Sequence, residues 1–160
     1  MRYHKLSEAQ FHEMHEEFAI FLATQGINKQ AWDLIKHEEP DRIENLLCDF
    51  SDLVWDKVIS KCSYLEFTTP DQIFLFQTNA DRVEALIIKI DPTLADLSTV
   101  AGFEKILGQL ESNQVEILRA SKTYQPSRNE FIYDYLKKGA VLSEGQRFNL
   151  LQSYFFNSPK

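Results

Sequence analysis

The residue types best suited to chemistry crowd into one stretch, Arg119-Ala120-Ser121-Lys122-Thr123-Tyr124-Gln125-Pro126-Ser127-Arg128-Asn129. Three cations stand here among hydroxyl side chains, where a strand is expected to end and a helix to begin. Unpaired N–H groups and the dipole of a helix start attract anions. A guanidinium can grip a carboxylate or phosphate with two parallel bonds. Arg119, Lys122, Tyr124, Ser127 and Arg128 therefore form a candidate anion site. The competing reading pairs Arg119 and Arg128 with acids of the N-terminal helices. Arg119 and Lys122 lie three positions apart, so on a regular strand they face opposite sides. They share one site only if the strand ends or bulges near Ser121.

Other groupings are weaker. His12 and Glu16 stand one helical turn apart, but His12-Glu13-Met14-His15 lacks the spacing of a zinc-protease helix. Asp49, Asp52 and Asp56 recur at i, i+3 and i+7, as cation ligands can, yet surface acids of an amphipathic helix look the same. No Gly-x-Ser-x-Gly elbow occurs, and four histidines give a nucleophile few partners. Five scattered glycines make no phosphate loop. No catalytic residue, metal or cofactor is assigned.

The elements that must position these residues can be read from hydrophobic period. Ser7 with Gln10 is a capping box opening a helix over about 8–25, with Gly26 as its stop. Asn28 caps a second helix that ends before Pro40. Asp41 opens a long third one with Ile43, Leu46, Leu47, Phe50, Leu53 and Val54 along one stripe. The period then changes. Tyr64–Thr68, Gln72–Gln77 and Val83–Ile90 read as strands, joined by links short enough for an antiparallel meander. Ile73-Phe74-Leu75-Phe76 is apolar on both faces, which predicts a central strand covered on both sides, by helices or by another copy of the protein. Ser98 is expected to cap a fourth helix to about Leu110, and Val115–Ser121 to form a fourth strand. Ser127 with Glu130, and Ser143 with Gln146, read as capping boxes of two last helices, with a frayed tail after Phe156. The fold class is α+β, a small mainly antiparallel four-stranded sheet surrounded by six helices in the order αααβββαβαα, one domain over 1–160.

Charge narrows the partners. The net charge is −7, and the first 60 residues hold 6 Lys/Arg against 12 Asp/Glu. Such a surface repels phosphate backbones and anionic lipid, which argues against broad nucleic-acid or membrane binding. The N-terminus lacks the apolar run of a signal peptide, and no stretch is long enough to span a bilayer. Cys48 and Cys62, read on one helix about 21 Å apart, cannot form a disulfide. Free thiols point to the cytoplasm.

Phe21-Leu22-Ala23-Thr24-Gln25, Phe50-Ser51-Asp52-Leu53-Val54-Trp55 and Ala120-Ser121-Lys122-Thr123-Tyr124 with Arg128-Asn129 resemble a bacterial single-domain family of unknown function. The resemblance covers nearly the whole chain. It implies a bacterial cytosolic protein and carries no catalytic residues. Two functions remain open, of which the first is favoured. One is a noncatalytic adaptor that meets another protein, or itself, through surplus aromatics such as Tyr133, Tyr154, Phe155 and Phe156. The other is a binder or enzyme acting on a small anionic ligand near Arg119 and Arg128. A cleft with convergent polar groups beside Arg119 would favour the second.

Overall fold

A computed structural model describes residues 3–157, with side chains described through residue 155. Of the frayed tail expected after Phe156, Asn157 still belongs to the last helix, while 158–160 and the side chain of Phe156 lie outside the described residues. The chain divides into two compact units, residues 1–60 and 61–160.

The first unit is helical. The Ser7 hydroxyl accepts from the Gln10 N–H, and the Gln10 side chain accepts from the Ser7 N–H, so the predicted capping box forms and opens α1 (Glu8–Glu13). The single helix expected over 8–25 is divided. The backbone leaves α-geometry at Met14, and a separate α2 (His15–Thr24) begins there. Asn28 caps α3 (Lys29–Glu38) through the Ala31 N–H, and α4 runs from Pro40 to Lys61. Proline suits this first position, where a missing N–H costs no helical bond. Leu22, Ile27, Ile35 and Leu46 form one core cluster, with Phe18, Phe21 and Trp32 against it. Cys62 falls just past α4 rather than on it, and both cysteines are free.

The second unit is a five-stranded antiparallel sheet carrying three helices. Its strands are β1 (Tyr64–Thr69), β2 (Gln72–Thr78), β3 (Arg82–Ile90), β4 (Val115–Thr123) and β5 (Val141–Ser143), in the spatial order β4-β3-β2-β1-β5. The predicted meander is present, and β2 is the middle strand. The expectation of four strands missed β5, which pairs Val141–Ser143 with Glu66–Tyr64. Ser143 therefore caps no helix. Its hydroxyl accepts from the Gly145 N–H at 3.0 Å and turns the chain into α7 (Gln146–Asn157). Gly145 has φ +87°, and a Cβ there would come within 2.6 Å of the Tyr64 ring, so only glycine fits this turn. With α5 (Val100–Leu107, capped by Thr99 rather than Ser98) and α6 (Arg128–Lys138), seven helices replace the six expected among the described residues.

Each sheet face has its own cover, as the two-sided apolar pattern of β2 requires. Ile73, Leu75, Leu86 and Ile88 pack with Leu97, Phe103 and Ile106 at the α5 side and with Phe148 and Leu151 of α7. On the opposite face Phe76 meets Phe131 and Tyr135 of α6, ring centroids 5.4 and 4.7 Å apart. Phe67 also reaches Tyr135, at 5.9 Å. Leu75, Phe76 and Leu86 are all buried, as expected.

Candidate functional site

The candidate anion residues part company along β4. The strand does not stop at Ser121; it stays in register with β3 out to Thr123, which opposes Arg82. Arg119 therefore faces the α7 side and Lys122 the α6 side. Tyr124, Ser127 and Arg128 come next on the α6 side. The structure does not bring Arg119 together with the other four.

On the α6 side the polar groups are taken up by backbone. Ser127 caps α6 through the Glu130 N–H at 3.2 Å. The Tyr124 hydroxyl donates to the carbonyls of Asn79 and Arg82, at 2.6 and 3.2 Å, closing the β2–β3 turn, and its ring meets Phe131. Burial pushes the Tyr124 phenol up, against the opposing pull of the nearby Arg128 charge. The Arg128 guanidinium donates to the Cys62 carbonyl at 2.5 Å and, at 3.5 Å, to that of Thr78. The Thr78 hydroxyl donates to the same Cys62 carbonyl at 3.0 Å. Burial pushes the Cys62 thiol up, which keeps it protonated and unreactive. A cation in the first turn of α6 is thus answered by carbonyl oxygens of the α4–β1 link and of the end of β2.

On the α7 side a cavity of about 300 Å³ opens at the hairpin end of the sheet. Arg119, Gln77, Asn79, Glu84 and Gln152 line it, with Leu86 and Phe148 as its apolar part. The guanidinium of Arg119 lies 5.9 Å from the Phe155 ring centroid, so α7 orients it. Gln77 donates from Nε2 to the Tyr64 hydroxyl at 3.2 Å. Glu84 receives the Ser121 hydroxyl at 2.8 Å, with Arg82 Nε 4.0 Å away. Gln77, Glu84 and Gln152 were not singled out in the sequence, although a signal exists. Hairpin register pairs Gln77 with Glu84 directly beyond the apolar pair Leu75 and Leu86, so one face turns polar at the turn end. The partner from α7 has no comparable local mark.

The remaining candidates have local uses. Asp52 accepts from the Tyr3 N–H at 3.0 Å and Asp56 from the Tyr3 hydroxyl at 2.8 Å, fastening the N-terminal segment to α4. His15 Nδ1 lies 3.0 Å from the His12 carbonyl. Among the described residues no group of three or more His, Cys, Asp or Glu is placed to hold a metal, and no helix is long and apolar enough to cross a membrane. Of the aromatics expected at the surface, Tyr133 is buried and Phe155 packs against the core. A hollow of about 480 Å³ lies along the turn after α5, with Glu111 and Tyr154 in its lining.

An α+β unit with a mixed-charge cavity is the class that fold and site define. The chain belongs to DUF6495, a family of unknown function, whose profile matches residues 1–155. No curated protein and no solved structure matches it.

Proposed function

We propose that this protein binds a small ligand through an anionic group, noncatalytically and in the cytoplasm, in the cavity beside Arg119. The observation that carries the reading is the convergence of Arg119 with the carboxamides of Gln77, Asn79 and Gln152 around one hollow. A few convergent polar groups fix a ligand's orientation, and here they stand over the buried Leu86 and Phe148. The free thiols of Cys48 and Cys62 support a reducing compartment. Soaking crystals in sodium acetate tests the reading: a carboxylate bonded to the Arg119 guanidinium is expected. A cavity holding only water at saturating acetate overturns it.

A second reading, an adaptor that meets another protein or a second copy of itself, is favoured by a different observation. Val141 and Leu142 stand 56% and 48% exposed on the edge strand β5. Light scattering of the wild type and of Val141→Lys separates the self-association form of this reading: a dimer broken by the lysine supports it, a monomer in both removes it.

A further inference from the structure

The cavity beside Arg119 offers more than a simple anion uses. Glu84 lines the same hollow, so a ligand carrying negative charge alone meets an attractive guanidinium and a repulsive carboxylate at once. The contacts of Glu84 with Ser121 and Arg82 both fall on Oε1. A carboxylate accepts about four hydrogen bonds, so the group retains capacity for a further donor. Arg119 and Glu84 stand on adjacent strands of one sheet face, two register positions apart, because Arg119 opposes Leu86 and Ser121 opposes Glu84. Opposite charges thus sit at fixed spacing on a rigid scaffold, with carboxamides around them and Leu86 and Phe148 below. From this we infer that the ligand is zwitterionic, an α-amino carboxylate. Its carboxylate meets Arg119 and its ammonium meets Glu84. The inference rests on the ligand-binding reading above and narrows it.

Three matched probes separate the narrower claim from the broader one. L-valine, 3-methylbutanoate and isobutylamine share one hydrocarbon body and differ only in which charged groups they carry. Each is titrated into the full chain while the backbone amide signals of Gln77, Glu84, Arg119 and Gln152, the side-chain amides of the two glutamines and the Arg119 Nε–H are followed by NMR. L-valine is expected to bind at least about tenfold more tightly than 3-methylbutanoate, the usual worth of one charge-assisted bond, and isobutylamine more weakly than either. In Glu84→Gln, which keeps shape and removes charge, L-valine falls to the level of 3-methylbutanoate. In Arg119→Gln neither carboxylate binds. Circular dichroism melts of both variants verify that they fold. If 3-methylbutanoate binds as well as L-valine, or Glu84→Gln leaves L-valine unaffected, the zwitterion inference is overturned while the anion reading stands. If no probe moves these signals, both readings fall.

Discussion

Two arginines from one short stretch meet opposite fates on the two faces of the same hairpin end. Arg128 is committed to the fold, its guanidinium joining the carbonyls of Cys62 and Thr78. Arg119 lies in the wall of a hollow, among the side chains of Gln77, Glu84 and Gln152. The faces differ in kind as well. Beneath α6 the packing is aromatic, and the polar groups of Tyr124, Ser127 and Arg128 close a turn, cap a helix and brace strand ends. Beneath α7 aliphatic strand residues pack with Phe103 and Phe148 until the hairpin, where Gln77, Glu84 and Arg119 replace the apolar run. Charge alone does not mark a site. What separates the two arginines is their surroundings, the backbone carbonyls of Cys62 and Thr78 at one and the Phe155 ring with the cavity side chains at the other.

That contrast can be broken by truncation. On the aromatic face Phe76→Ala should cost about 3–5 kcal/mol in a denaturant melt, since the ring fills the space between β2 and α6. A loss below about 1 kcal/mol would mean that α6 does not hold that face. Arg128→Met keeps the stem and removes the donors; it should cost about 1.5–3 kcal/mol, the range for charged hydrogen bonds. Tyr124→Phe removes only the hydroxyl that closes the β2–β3 turn and should cost about 0.5–1.5 kcal/mol. Arg119→Gln loses the contact with the Phe155 ring and should cost no more than about 1 kcal/mol, the worth of an exposed cation–π pair. Should Arg119→Gln destabilise as much as Arg128→Met, the two faces are alike and Arg119 is structural.

Much of the architecture could be read from local pattern. The caps at Ser7, Asn28 and Ser127, the three-strand meander and the two-sided burial of Ile73–Phe76 all depend on short-range rules. The failures share a cause. Val141-Leu142-Ser143 is too short to display a period, and it becomes a strand only because β1 offers an unpaired edge far back in sequence. Ser143 with Gln146 satisfies the spacing of a capping box, yet the chain needs that serine to turn at Gly145. Met14 breaks the first helix without a glycine or proline to announce it. At the site, alternation correctly warned that Arg119 and Lys122 diverge on a regular strand. The strand proved regular, and the partners of Arg119 came from β2, β3 and α7, which no local spacing relates.

The place of β5 has a kinetic meaning. Strands β1 to β3 join through tight links and can zip up from contacts near in sequence, at low entropic cost. β5 must find β1 across most of the unit, and α7 comes directly after it. The sheet wall of the cavity can therefore exist before Phe148 and Gln152 arrive to finish it. Pulse-labelled hydrogen exchange should find Gln72–Ile90 protected before Val141–Ser143. A ligand that needs both walls would then recognise only chains that have completed their last step, and would act as a latch on the finished molecule.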